Sequence, residues 1–209
     1  MIDSGYDLYL QLQKLNLLET KPSLWWPNPY TFEMVVSAIL TQNTKWENAA
    51  KSLELLKAND LLSVESLSQA DNALIVECVK SSGFFNAKSK NIQKLAEQIV
   101  EDFGDFKNFQ DEVSREWLLS QRGIGQESAD AILCYGCKRE VMVVDKYTQQ
   151  LVLALGVEFE SYEDLQSWCI RDFMSDQSHH DFALFHGMIV EYMKKHKKGK
   201  VINIDPLVR

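Results

Sequence analysis

One stretch of the chain decides the fold: WLLSQRGIGQESADAILCYGCKREVMVVDKYTQQL, from Trp117 to Leu151. It contains the end of an apolar-periodic helix, a Gly123-Ile124-Gly125 turn, a second helix from Glu127 to about Tyr135, and a loop leading to a third helix. Glycine has no Cβ, so the backbone can turn sharply at this point and approach another molecule closely. The stretch therefore predicts two helices joined by a tight hairpin.

The hairpin is a candidate anion site. The amides of Gly125, Gln126 and Glu127 fall at the start of the second helix, where unpaired N–H groups and the positive end of the helix dipole favour a phosphate. An ordinary helical hairpin with a glycine turn is the alternative, because such short matches recur by chance.

The loop after the second helix delivers a carboxylate. Val141–Val144 is an apolar run too short to form a helix of its own, and Asp145 follows it directly. An Asp at this junction could be the N-cap of the next helix, from Lys146 to about Leu155. A capping carboxylate is ionised and fixed in direction, so the cap interpretation also leaves Asp145 able to act on a substrate.

Composition sets bounds on the class of protein. A chain of 209 residues with 45% hydrophobic content can bury a core in one domain or in two small ones. The net charge of −8 and an isoelectric point near 5.1 count against a nucleic-acid-binding protein. The distribution of lysines matters more than the sum, because they gather near the C-terminus and in or beside the segments Ile39–Lys45 and Gly83–Ile92: Lys194, Lys195, Lys197, Lys198, Lys200, Lys45, Lys88, Lys90 and Lys94. A solvated charged tail is the alternative for the C-terminal group.

The sequence predicts a cytoplasmic protein that does not contact a membrane. No apolar run approaches the length of a membrane span, and the first residues do not form an export signal. Four cysteines without an export signal indicate reduced thiols. The Cys134-Tyr-Gly-Cys137 spacing has no second CxxC or histidine pair to complete a metal site, so we interpret these cysteines as packing residues.

The remaining elements are predicted to be helical. Apolar residues recur at helical spacing from Tyr6 to Leu18 and along most later segments, and no β pattern of any length is found, so the fold class is all-α. Aromatic residues interrupt this pattern in two loops. Trp25-Trp26-Pro27 either covers the core or offers a stacking surface, and Phe84 in the Gly83–Asn86 turn either folds onto the core or projects as a wedge between base pairs.

These residues resemble a known family. The pattern L-x-x-x-x-G-I-G-x-x-(S/T)-A-(D/N)-x-x-L, followed by an apolar run and V-D, resembles the helix-hairpin-helix and catalytic-aspartate signature of the endonuclease III superfamily of DNA glycosylases. The segments Ile39–Lys45 and Gly83–Ile92 fit in the expected order, and the resemblance spans roughly Phe32 to Leu155. Within the superfamily, the Trp-Trp-Pro segment, Trp46 and Phe185-His186-Gly187 are most similar to the bacterial 3-methyladenine DNA glycosylase III group.

The resemblance implies a two-lobed helix-hairpin-helix glycosylase fold with an active-site cleft between the lobes. A six-helix domain would cover residues 28–136, and both termini, 1–27 and 137–209, would form a second helical domain. Many relatives carry an iron–sulfur cluster on four closely spaced C-terminal cysteines. The chain has no cysteine beyond Cys169, so we expect no such cluster.

The resemblance also implies roles for individual residues. Asp145 would be the catalytic residue. The base pocket would contain Trp25, Trp26, Pro27, Trp46, Glu127, Lys146 and His186. DNA would be bound by Gln42, Phe84, Lys88, Gly123, Ile124, Gly125 and Gln126. The backbone carbonyls of Leu119, Gln121 and Ile124 would bind a monovalent cation, and no other cofactor would be required. His186 could equally be a core histidine, and Met188 stands where related sequences can place a lysine.

Glu127 decides between two reaction classes. Bifunctional relatives carry a lysine at this position, and an amine can form a Schiff base and cut the strand, which a carboxylate cannot do. Lys146 is adjacent to Asp145, but consecutive helical residues point about 100° apart, so we do not expect both to face the sugar.

The sequence therefore predicts a monomeric, monofunctional DNA glycosylase of the bacterial nucleoid. It would flip alkylated purines, 3-methyladenine first, out of double-stranded DNA in base excision repair and leave an abasic site. Two alternatives remain. They are a bifunctional glycosylase and lyase acting on oxidised bases, and a non-catalytic helix-hairpin-helix DNA-binding protein.

Overall fold

A computed structural model describes residues 2–174 and 178–208, and the described residues form two compact units. One unit is Asn28–Cys137. The other combines Met1–Pro27 with Lys138–Arg209, so both termini contribute to it. The chain is mostly helical, as predicted. Among the described residues, no helix has both the length and the apolar character that a membrane span requires.

The helices in chain order are α1 (Gly5–Gln13), α2 (Phe32–Leu40), α3 (Trp46–Ala58), α4 (Val64–Gln69), α5 (Asn72–Val79), α6 (Phe85–Phe103), α7 (Phe106–Glu112), α8 (Arg115–Ser120), α9 (Gln126–Ala131), α10 (Lys146–Ala154), α11 (Tyr162–Ile170), α12 (His179–His196) and α13 (Asp205–Val208). A 3-10 turn, Lys80–Ser82, follows α5. A π-helical turn, Ile132–Gly136, continues α9.

Short polar side chains define where most of these helices begin. Each accepts a hydrogen bond from a first-turn amide, which satisfies one of the N–H groups that a helix start leaves unpaired. The residues that cap in this way are Ser4, Thr31, Ser63, Asp71, Asp105, Ser114, Asp145, Ser161 and Ser178.

Each unit has its own apolar core. In Asn28–Cys137, α2 is buried along almost its whole length and packs on the π-helical turn, while α6 packs on α4 and α5. In the other unit, α12 packs on α1 and α10 around the buried side chains of Leu8, Leu12, Leu151, Phe185 and Tyr192. Burying such side chains contributes on the order of 2 kcal/mol each, and this drives the two chain ends together.

Two details differ from the sequence-based expectation. Helix α1 ends at Gln13 rather than near Leu18, and Asn16 follows it with a left-handed backbone (φ 49°) that a helix cannot continue through. The sequence did not predict a short hairpin in which Lys197–Lys198 pairs with Val201–Ile202, a small addition to the helical fold. Gly199, with φ 60°, provides the positive dihedral that a two-residue hairpin turn needs.

Candidate active site

Asp145 caps helix α10 and still presents one oxygen for another purpose. The buried run Met142–Val144, which is neither helix nor strand, leads into it. Its Oδ1 accepts hydrogen bonds from the backbone N–H of Thr148 at 2.7 Å and from the Thr148 hydroxyl at 2.9 Å. Its Oδ2 lies 3.7 Å from Nε2 of His186 on helix α12. The two carboxylate oxygens therefore have separate neighbours, and the carboxylate is fixed in direction.

The surroundings keep Asp145 ionised. Its side chain is only 14% exposed, and burial alone would raise the pKa of the carboxyl. His186 and the two hydrogen bonds from Thr148 outweigh burial and hold the pKa of Asp145 below its usual value of 3.8. At 3.7 Å, Oδ2 and the Nε2 of His186 are too far apart for a short hydrogen bond. Asp145 is therefore a carboxylate at neutral pH.

His186 connects Asp145 to Trp25. The histidine is buried, with 3% exposure, and its ring lies edge-on to the Trp25 indole with centroids 5.2 Å apart. Gly187 makes this approach possible, because a Cβ at that position would lie 2.5 Å from Cγ of Trp25. The Phe-His-Gly segment therefore places a histidine beside Asp145 and leaves room for the tryptophan. His186 is buried, as a core histidine would be, and it also lies beside Asp145.

The other residues expected in a base pocket are distributed over the two units. Trp26 is half-buried and edge-on to Trp25 at 5.8 Å, and Pro27 is half-buried beside it. Lys146 is exposed at the first position of α10, whereas Asp145 is nearly buried, as expected for side chains that leave a helix start in different directions. In the unit Asn28–Cys137, Trp46 begins α3 with 37% of its surface exposed, and Glu127 is exposed in the first turn of α9.

The two hairpin glycines serve different purposes. Gly123 has φ 82°, and a Cβ there would lie 2.1 Å from Nδ2 of Asn91 on α6, so both the backbone and the packing require glycine. Gly125 is the N-cap of α9 with φ −99°, and a Cβ there would meet nothing within 4 Å. Among the described residues, nothing near Gly125 requires a glycine there, and Gly125 itself is exposed at the start of α9.

Gln42 is attached to the hairpin. Its Nε2 donates hydrogen bonds of 2.9 Å to the carbonyl of Gly123 and to the hydroxyl of Ser128 in α9. The loop after α2 and the helix-hairpin-helix are thus fixed to each other by one side chain. Ile124, between the two glycines, is buried and anchors the turn.

Lys88, which was expected to bind DNA, is buried and makes its hydrogen bonds inside the protein. The side chain is 4% exposed, and its Nζ donates to the carbonyls of Leu40 at 2.8 Å, Gln42 at 2.9 Å and Ser82 at 2.7 Å. Burial lowers the pKa of this ammonium. Lys88 joins the loop that carries Gln42 to the turn that carries Phe84, and its charge is not available at the surface.

Phe84 stands out from the surface. It is 72% exposed and caps α6 in a left-handed backbone conformation, with φ 47°. This conformation is costly for a residue with a bulky side chain, and an exposed phenyl ring recovers none of the cost through packing. The combination indicates a side chain held out for a partner.

The predicted cation ligands belong to one short segment. Leu119 is in α8, and the Gln121 carbonyl accepts the Ile124 N–H at 3.2 Å inside the hairpin. Carbonyl oxygens of this kind suit a hard cation, and a monovalent ion here stays a prediction. In the described part of the chain, no three His, Cys, Asp or Glu side chains are grouped so as to hold a metal ion, and Cys78, Cys134, Cys137 and Cys169 are buried free thiols.

Sequence reasoning missed one residue of this site. Glu191 on α12 accepts the indole N–H of Trp25 at 3.0 Å. It comes four residues after Gly187, so helical periodicity puts both on one face of α12. That spacing was visible in the sequence, but nothing local shows that Trp25, 166 residues earlier, is the partner.

Comparison with known families and structures gives consistent matches. Residues 36–166 match the family described as HhH-GPD superfamily base excision DNA repair protein. The chain is 32% identical to MJ1434 of Methanocaldococcus jannaschii, a protein provisionally named a DNA repair glycosylase, over 97% of this chain and 94% of that protein. It is 27% identical to an endonuclease III of Thermotoga maritima over 60% of this chain and 56% of the endonuclease.

Solved structures agree in fold. The H. pylori 3-methyladenine DNA glycosylase MagIII, bound to 1,N6-ethenoadenine, has a TM-score of 0.88 and 41% identity, covering 94% of this chain and all of that one. A non-covalent endonuclease III–DNA complex has a TM-score of 0.76 at 16% identity, covering 98% of this chain and 94% of that chain, and shows that the fold is shared.

Proposed function

Because the chain belongs to the HhH-GPD superfamily of base excision DNA repair proteins and is a DNA glycosylase, we propose that it excises alkylated purines, 3-methyladenine first, from double-stranded DNA. The proposed reaction is hydrolysis at the N-glycosidic bond, which leaves an abasic site. The observation that carries the proposal is the ionised carboxylate of Asp145 fixed beside His186, with the aromatic ring of Trp25 against that histidine.

Asp145 supplies what cleavage of this bond requires. Positive charge develops on the sugar as the base departs, and a preorganised carboxylate stabilises that charge without reorganising. The Oδ2 atom is the one suited to this role, because Oδ1 is occupied by Thr148. The same oxygen can orient the attacking water or accept its proton.

The residues around Asp145 suit a base that leaves without strong acid catalysis. A purine methylated at N3 is already cationic, so its departure does not need a strong proton donor. Indole rings attract cations through the negative face of the ring, by about 1 kcal/mol or more once desolvated. Trp25 provides such a ring next to His186, and Trp26 provides a second one edge-on to Trp25. The similarity to a 3-methyladenine glycosylase that binds 1,N6-ethenoadenine supports a purine adduct as substrate.

The unit Asn28–Cys137 carries the proposed DNA contacts. A buried base is out of reach, so the nucleotide must be extruded at a cost of a few kcal/mol. The N-terminus of α9 at Gly125 would hold a phosphate, and Phe84 would enter the base stack to replace lost stacking. Lys88 fixes the Gln42 loop to the Phe84 turn, so these two side chains would act from a rigid base.

Glu127 supports hydrolysis rather than strand cleavage. Its exposed carboxylate occupies the hairpin position from which a lysine amine would attack the sugar in a bifunctional relative. A carboxylate cannot form a Schiff base, so the proposed enzyme stops at the abasic site.

A duplex with a single N3-methylated adenine and a labelled strand tests the proposal. We expect base release without strand cleavage, cleavage only after hot alkali, and no covalent adduct on borohydride reduction. Asp145→Asn should abolish release and retain duplex binding. An adduct trapped by borohydride would replace the proposal with a bifunctional lyase, and the absence of release with retained binding would support a non-catalytic DNA-binding protein.

A further inference from the structure

Two charged groups of its own unit contact the indole of Trp25, and a third pairs with one of them. Its Nε1 donates to Oε1 of Glu191 at 3.0 Å, and the same oxygen accepts from Nζ of Lys194 at 2.8 Å. Nζ of Lys21 lies 3.1 Å from the other oxygen of Glu191. The ammonium of Lys194 also lies over the Trp25 ring, 5.6 Å from its centroid. One carboxylate and one ammonium therefore act on the same aromatic ring.

This arrangement is built rather than incidental. Trp25 has a left-handed backbone (φ 67°), which is unfavourable for a residue with a large side chain, and Gly187 leaves the space that the ring occupies. The Glu191 side chain is only 14% exposed. Burial would raise the pKa of Glu191, but the hydrogen bonds from Lys194, Trp25 and Lys21 hold that pKa below its usual value, so the carboxylate is ionised.

The two charges act on the ring in opposite directions. Donating the indole N–H to a carboxylate pushes electron density into the ring, and the negative potential of the ring face is what attracts a cation. An ammonium over the ring competes for that same potential. A cationic base that stacks on Trp25 should therefore be favoured by Glu191 and disfavoured by Lys194, and a neutral base should be affected little by either.

We infer that Glu191 and Lys194 set the preference of Trp25 for a cationic over a neutral base, with Glu191 increasing it and Lys194 moderating it. The inference rests on the proposed function in one respect, that Trp25 contacts the base. Neither residue is assigned to the reaction itself. They tune specificity through the ring of Trp25.

Binding of two free bases tests this without catalysis. The probes are 3,9-dimethyladenine, which carries a positive charge, and 9-methyladenine, which is neutral and lacks only one methyl group. We expect the full-length protein to prefer the cation, Glu191→Gln to reduce that preference roughly three- to fivefold, and Lys194→Met to increase it by about the same factor. The affinity for the neutral probe should change little.

Two controls separate tuning from damage to the fold. Lys195→Met removes the same charge from an exposed neighbour on α12 and should leave the preference unchanged. In Trp25→Phe, which keeps a ring but has no N–H to donate, Glu191→Gln should no longer reduce the preference. Thermal unfolding of every variant verifies that it is folded.

The outcomes are distinct from those for the reaction. A wild-type protein without a preference, or variants that change both affinities by one factor, would overturn the inference. Opposite shifts in a protein that releases no base from alkylated DNA would leave the inference standing and remove the proposed reaction. If the protein releases base but the variants show unshifted preferences, the inference is overturned and the proposed reaction stands.

Discussion

Asp145 has two tasks that its two oxygens divide between them. Oδ1 accepts both donors of Thr148 and holds the start of α10, and Oδ2 faces His186. A helix cap is usually a structural feature, and here it also orients Oδ2, the oxygen that we propose acts on the sugar. Asparagine caps a helix about as well as aspartate, so Asp145→Asn separates the charge from the cap.

The charge of Asp145 should be visible in the pH dependence of stability. The pKa of Asp145 lies below its usual 3.8, so the folded state favours the ionised form. The resulting stabilisation is present above the unfolded pKa and is lost as the pH falls through the folded one. We expect the stability difference between wild type and Asp145→Asn to shrink as the pH falls from neutral to below about 4.

Denaturant unfolding at a series of pH values measures this difference. Thr148 remains in both proteins as a common donor to residue 145. A difference that stayed constant down to pH 3 would contradict the assignment of a depressed pKa to Asp145.

Gly187→Ala gives a second test at the residue scale. Replacing glycine by alanine inside a helix ordinarily stabilises it by up to about 1 kcal/mol. Here the new Cβ would lie 2.5 Å from Cγ of Trp25, so the indole must move away from His186. We expect no gain in Tm and at least a tenfold loss of base release, measured in single turnovers. A stabilised, fully active variant would show that the position of Trp25 is unimportant.

At the scale of elements, the two hairpin glycines have different roles. The fold requires Gly123, whereas we propose that Gly125 serves ligand binding. Gly123→Ala introduces a Cβ at positive φ and against Asn91, so we expect a clear fall in Tm. Gly125→Ala has open space around it and an ordinary extended backbone, so we expect Tm to change little and DNA affinity to fall. Melting curves and duplex titrations compare the pair. Unchanged DNA affinity in Gly125→Ala would exclude the hairpin as a phosphate site.

Lys88 links the loop that carries Gln42 to the turn that carries Phe84, and its side chain is buried. Lys88→Met leaves the carbonyls of Leu40, Gln42 and Ser82 without their donor, and an unsatisfied buried group costs about 1–3 kcal/mol. We expect Tm to fall by several degrees. Lys90→Met, at an exposed position of the same helix, is the matched control and should not change Tm. Equal melting temperatures for the two variants would contradict the linking role.

Considered as a whole, the molecule shows which features a single sequence can predict. The caps, the glycine turn and the helical periodicity depend on residues a few positions apart, so the all-α fold, the hairpin and the capping role of Asp145 were predictable. Two of the three carbonyls that accept from Lys88 lie 46 and 48 residues earlier in the chain, and Glu191 meets Trp25 across 166 residues. Tertiary contacts of this kind leave no local pattern. The resemblance could therefore place Lys88 among the DNA-binding residues without revealing that its side chain is buried.

The net charge of −8 also bears on how the whole molecule could bind DNA. Lys88 is buried, and Lys21 and Lys194 are paired with Glu191. The number of lysines in the sequence therefore overstates the positive charge that the surface can present to phosphates. DNA binding would then depend more on backbone amides at Gly125 and on the wedge at Phe84 than on the number of positively charged side chains.

The most direct test of the central claim is to incubate the protein with randomly methylated duplex DNA and identify the released bases by chromatography. We predict free 3-methyladenine, no strand breaks until hot alkali is added, and no release by Asp145→Asn. Methylated DNA from which wild-type protein releases no base, or release that persists in Asp145→Asn, would contradict the account.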